Sequence, residues 1–126
     1  MIGLPSSVRI YLASEPTDMR NGVDGLVALV RRGFDASVFS GHLFVFLSRR
    51  RDRATILWWD RGGFVVYYKR LERGRFRRPR PTEAGHAVLS PAELQSLLEG
   101  IDLSRAQRSR LWEPRTKKTI DADRQM

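Results

Sequence analysis

The chain has 126 residues, 41% of them hydrophobic, which suits one domain with a core of its own and sets it apart from a disordered sequence. It contains no cysteine, which excludes a disulfide framework and a cysteine zinc site, and no apolar run approaches a membrane span. The formal net charge is +9, and residues 49–80 carry all of it: twelve basic side chains stand there against three acids, while the rest of the chain is balanced.

The N-terminus lacks the charged start and long apolar run of a secretory signal, so a cytoplasmic protein with no membrane partner is expected. Residues 8–13 (VRIYLA) alternate as a short strand does. A helix is predicted next, with Thr17 as its N-cap and Asp18 in its first turn. Met19, Val23, Leu26, Val27 and Val30 recur on one helical face, and Gly33 is the stop. Gly22 and Gly25 stand about one turn apart. Such a pair either admits a neighbouring backbone or is tolerated in a helix held by packing.

Residues 43–49 (LFVFLSR), 54–60 (ATILWWD) and 64–70 (FVVYYKR) are rich in β-branched and aromatic side chains, as strands are. With turns at Arg51 and Asp52 and at Gly62 and Gly63, they form an antiparallel meander that aligns residues 46, 57 and 68. One face then carries Phe44, Phe46, Leu57, Trp59, Val66 and Tyr68. The other carries Leu43, Val45, Leu47, Ile56, Trp58, Val65 and Tyr67. Both are apolar, whereas a two-layer domain needs only one apolar face. Another part of the chain, a partner subunit or a ligand must therefore cover the second.

Residues 71–85 (LERGRFRRPRPTEAG) break the pattern and predict a long exposed loop, with the prolines of RRPRP stiffening it into an arm. A short returning strand is expected at 86–90 (HAVLS). The clearest helix follows. Ser90 is its N-cap, Pro91 its first residue, Glu93 completes a capping box and Gly100 stops it, with Leu94, Leu97, Leu98 and Ile101 on its apolar face. The expected architecture is a single α+β domain over residues 1–103, an antiparallel meander of three to five strands packed with two helices and bearing a basic rim. Residues 104–126 form a polar, flexible tail in which Trp112 is either a docking anchor or an exposed ring.

Chemistry-bearing motifs are absent. His42 and His86 are isolated, and His42, after Ser40 and Gly41, suits a structural hydrogen bond. There is no phosphate loop and no nucleophile elbow. Asp18, Asp24 and Asp60 are not spaced as a magnesium site. No catalytic residue, metal or cofactor is assigned.

The cationic stretch points instead to a polyanion. Arginine makes up 20 of the 23 basic residues, as a GC-rich genome would favour, but codon usage does not remove acids from one region only. The candidate nucleic-acid contacts are Arg49, Arg50, Arg51, Arg53, Lys69, Arg70, Arg73, Arg75, Arg77 and Arg78. An antiparallel hairpin brings the end of its second strand back beside the start of its first, so both clusters meet at one rim. The alternative is a protein adaptor whose aromatic face, through Trp58, Trp59, Tyr67 and Tyr68, docks on a partner or on a second copy.

Four stretches carry a resemblance: TDMRNGVDGL, FSGHLFVF, ILWWDRGGFVVYYKRLERGRF and LSPAELQSLLEGID. In this order they resemble the TnpB accessory proteins of the insertion-sequence family sixty-six, the product of those elements' second reading frame. The likeness spans roughly residues 4–112. It implies a bacterial protein needed for transposition and encoded beside a separate transposase that carries the strand-transfer chemistry. Its implied partners are DNA at the element ends and that transposase, with a homodimer as a further expectation. The family often has a basic residue where Asn21 stands, and the turn SRRRDR is more basic than usual.

Overall fold

The structure, a computed structural model, describes residues 5–78, 86–99, 101–102 and 107–108. In chain order these form β1 (Ile10–Leu12), α1 (Val23–Gly33), β2 (Leu43–Leu47), β3 (Arg53–Asp60), β4 (Gly63–Arg70), β5 (Ala87–Leu89) and α2 (Pro91–Glu99). A small separate pair follows, β6 (Ile101–Asp102) with β7 (Gln107–Arg108). The helix stop at Gly100, the proline arm beyond Arg78, and the polar tail apart from β7, including Trp112, lie outside the described residues.

The α+β class is as expected, and β2, β3 and β4 are the antiparallel meander. The five-stranded sheet, ordered β4-β3-β2-β1-β5, is nonetheless mixed. β1 runs parallel to β2, while β5 is antiparallel to β1. A parallel neighbour needs a crossover connection, and α1 supplies it.

Both faces of the sheet are covered by the chain's own helices over β1, β2 and β3, while β4 stays partly exposed. On one, Ile10, Leu12, Leu43, Val45, Leu47, Ala54 and Ile56 pack with Leu94, Leu97 and Leu98 of α2. On the other, Phe44, Phe46 and Leu57 pack with Leu26 and Val30 of α1, and Tyr11, Phe34 and Phe64 lie against them. The residues divide between the faces as their alternation predicts. The cross-strand partners differ by two residues: Phe46 pairs with Thr55, and Leu57 with Val66. The turns explain it. β3 and β4 close on Asp60 and Gly63, so the turn residues are Arg61 and Gly62, both at positive φ (37° and 86°). That is the two-residue turn whose twist matches the strands. A shift of two leaves every side chain on its face.

α1 starts later than its sequence suggests. Its N-cap is Gly22, with no side-chain capping bond, and Asp24 is the first-turn acid. Thr17 is instead buried, and its N–H donates to Leu47 O at 2.9 Å, which holds the chain after β1 beside the end of β2. Met19 is outside the helix and accepts from Thr55 Oγ1 at 3.3 Å, and Val23, as the first helical residue, is exposed. Gly33 does end the helix, with Phe34 N donating to Val30 O. No foreign backbone approaches the glycine pair: Gly22 faces open space, and a Cβ at Gly25 would meet the Asn21 side chain.

α2 carries the expected capping box. Ser90 N donates to Glu93 Oε1 at 2.9 Å, and Glu93 N donates to Ser90 Oγ at 3.1 Å. The segment after β4 is not a uniformly exposed loop, because Phe76 is buried in the α2-side core.

Candidate nucleic-acid interface

The connection from β2 to β3 is closed by its own backbone and one hydroxyl. Ser48 N donates to Arg53 O at 3.0 Å, and Arg51 N donates to Ser48 O at 2.9 Å. Ser48 Oγ accepts from Arg53 N at 3.2 Å and donates to Asp52 Oδ1 at 3.1 Å. Arg51 takes a positive φ of 60°, which turns the chain. The Asp52 carboxylate is thus engaged by a serine. Arg49, Arg50 and Arg53 are exposed on the turn.

The second cluster is fastened to this turn. Arg53 pairs with Arg70 and Ala54 with Lys69 across β3 and β4. Beyond β4, Leu71 N donates to Asp52 O at 2.7 Å, and Phe76 N donates to Arg51 O at 2.6 Å. Gly74, at φ 83°, makes the bend that returns Phe76 to the core. Arg73 and Arg75 stand exposed between these attachments. The two clusters therefore meet at one rim.

Not every cation there is equivalent. Lys69 Nζ donates to Leu98 O at 2.8 Å, near the C-terminal end of α2, where a positive charge complements the helix dipole. Arg70 pairs with Glu72 at 2.8 Å. Arg78 is half-buried, donates from Nη2 to Ala13 O at 2.6 Å, and its burial lowers its pKa. Arg77 is exposed. Among the described residues, Arg49, Arg50, Arg53, Arg73 and Arg75 form no ion pair.

A groove of about 630 Å³ opens beside the turn, between residues 16–20 and 48–53. It adds Arg20 to Arg49, Arg50 and Arg53. Arg20 is bound to Asp18 at 2.7 Å, and its hydrogen bonds hold the Asp18 carboxyl down at about 2. Arg20 lies far from the basic stretch in sequence. The bonds from Thr17 N to Leu47 O and from Thr55 Oγ1 to Met19 Sδ bring its loop to the rim.

The remaining candidates divide. Trp58 is half-buried against the α2-side core. Trp59 is half-buried between Phe39 and Phe64, at ring distances of 5.1 and 5.0 Å. Tyr67 and Tyr68 are exposed. His42 has the structural role expected of it, its Nδ1 accepting from Arg9 N at 3.0 Å. His86 stacks on Phe34 and bonds through Nε2 to Gly33 O. Asp60 stands at the opposite end of β3 from Arg53. Among the described residues no group of three or more histidines or acids could hold a metal ion, and no helix is long and apolar enough to cross a membrane.

A family model described as "IS66 Orf2 like protein" matches residues 8–108. Two proteins of Sinorhizobium fredii (strain NBRC 101917 / NGR234) are similar over most of their length. The uncharacterized protein y4jC is 39% identical over 114 residues, covering 90% of this chain and 97% of the relative. The uncharacterized protein y4hO is 39% identical over 113 residues, covering 88% and 96%. No solved structure matches. The match runs from ahead of β1 to β7 and so takes in the whole sheet, both helices and the basic rim. The chain belongs to the IS66 Orf2-like family, whose role is that of a transposition-associated accessory protein.

Proposed function

We propose that the protein is a non-catalytic accessory factor of transposition that binds DNA in the bacterial cytoplasm through its arginine rim. One observation carries the reading. The turn 48–53 and the segment 69–78 are locked together by the bonds from Leu71 to Asp52 and from Phe76 to Arg51. The exposed Arg49, Arg50, Arg53, Arg73 and Arg75 are thereby held on one border, and none of them forms an ion pair among the described residues. Fixed guanidiniums of this kind contact phosphates, and each neutralised phosphate releases counterions. Lys69 and Arg78 tie the rim to Leu98 and Ala13, and Arg70 is paired with Glu72. Phosphate contacts position a protein without reading sequence. Recognition of the element ends would need guanine edges read by rim arginines.

The test is affinity for duplex DNA from an element end and for random duplex, measured across salt concentration. A steep fall of affinity with salt on both duplexes supports the reading, and absence of binding at low salt overturns it.

A second reading, docking on the transposase of the same element, draws on Tyr67 and Tyr68, which stay exposed where the helices end their cover. It predicts that replacing the rim arginines leaves association with the transposase unchanged.

A further inference from the structure

The two edges of the main sheet are unlike. β5 has three residues, whereas β4 has eight, with no proline. Val66, Tyr67 and Tyr68 of β4 are 40%, 37% and 52% exposed. Among the described residues no strand pairs with its outer side. An open edge of this length presents a row of N–H and C=O groups that template pairing, so monomers ordinarily blunt it with a proline, a bulge or a covering element. β4 pairs with β3 residue for residue, without a bulge, and its charges are confined to Lys69 and Arg70 at one end.

The ladder fixes which groups are open. Leu71 N donates to Asp52 O one step past the end of β4, so odd-numbered residues turn their backbone groups toward β3. The two-residue turn closing on Asp60 and Gly63 demands the same phase. Phe64, Val66, Tyr68 and Arg70 therefore aim their N–H and C=O groups away from the sheet.

We propose that β4 pairs antiparallel with β4 of a second copy of this chain, about a two-fold axis at Tyr67. In that register Val66 faces Tyr68 of the partner subunit and Phe64 faces Arg70 of the partner subunit, so all the open groups fall in phase. The edge is complementary to itself in charge as well. Lys69 and Arg70 meet Val65 of the partner subunit and Phe64 of the partner subunit, and no cation faces a cation, whereas parallel in-register pairing would set Arg70 on its own copy. The two Arg70 positions lie six residues apart along the strands, about 20 Å. That exceeds the Debye length of about 8 Å at physiological salt, so repulsion between the two basic rims is screened. The result is one continuous sheet through two copies, with a rim at either end. This inference does not rest on DNA binding, and it is tested with no DNA present.

The experiment is sedimentation equilibrium of the full chain from about 1 to 100 μM. A concentration-dependent dimer is expected. Tyr67→Lys and Tyr67→Glu each set like charges face to face on the axis and should raise the dissociation constant about tenfold or more. Mixing the two variants should restore association, because Lys then faces Glu. Val66→Pro is the second probe. It removes an outward N–H and no bond to β3, so it should abolish the dimer while the circular dichroism spectrum stays that of the wild type. A wild-type monomer throughout the range overturns the proposal. So does a dimer that survives both charged variants, or a mixture no better associated than its components.

Discussion

Phe76 and Arg78 show how a charge-rich connection is held still. Phe76 is 1% exposed, and its own N–H is bound to Arg51 O, so one residue anchors the segment by side chain and by backbone. Phe76→Ala should cost about 3–5 kcal/mol in urea unfolding, and should weaken DNA binding under conditions where the fold survives, because Arg73 and Arg75 lose their fixed base. A small change in unfolding free energy would show that the segment is held by something else. Asp18 offers a pH test at the groove. The side-chain hydrogen bond from Arg20, helped by the Arg20 backbone N–H, lowers its pKa from 3.8 to about 2. A depressed carboxylate contributes stability above its unfolded pKa and loses it as pH falls through the folded value. Both partners are on the surface, so solvent screens the pair. The Asp18 carboxyl resonance should therefore titrate near pH 2, and Arg20→Ala should raise its midpoint toward 3.8 but leave it below, because the backbone N–H of residue 20 still donates to the carboxylate. A wild-type midpoint already near 3.8 would mean that the pair does not persist in solution.

Among the elements, the hairpin of β3 and β4 is the most locally determined. Arg61 and Gly62 both adopt positive φ, and an L side chain in that region costs about 1–2 kcal/mol. Gly62→Val should therefore lower unfolding free energy by about that amount in a denaturant titration, whereas Gly63→Val, in the extended strand, should cost less. Equal losses at the two positions would argue that the turn is centred on Gly62 and Gly63 after all. α2 was legible for a similar local reason, since its capping box lies within four consecutive residues and its apolar face repeats at helical spacing. α1 was legible in its body but not at its start. Thr17 is a good capping residue, yet its N–H is needed by Leu47 on a neighbouring strand, and that bond is invisible in local sequence.

At the scale of the molecule, charge and coverage decide behaviour. Arg49, Arg50, Arg73 and Arg75 are exposed and form no ion pair among the described residues, so replacing all four with Ala should leave the circular dichroism spectrum and unfolding midpoint near those of the wild type. The slope of log affinity against log salt should fall by about 3–4, at roughly 0.9 per lost phosphate contact on duplex DNA. An unchanged slope would remove these four from the contact surface. Arg78→Ala should behave differently and reduce stability, because its guanidinium is half-buried on Ala13 O.

Local sequence by itself determined the five strands of the main sheet, the helix bodies, the capping box and the division of residues between sheet faces, but not β6 and β7, whose Ile101 it placed on the apolar face of α2. Each of these follows from side-chain periodicity or from bonds a few residues long. It also located the excess charge, because charge is counted and not folded. Only the tertiary structure decided the parallel seat of β1 beside β2, the burial of Phe76 and the arrival of Arg20 at the rim. These depend on hydrogen bonds and packing between segments distant in the chain. Which apolar face is covered, and by what, is likewise set by where two helices come to lie and not by the pattern that makes both faces apolar.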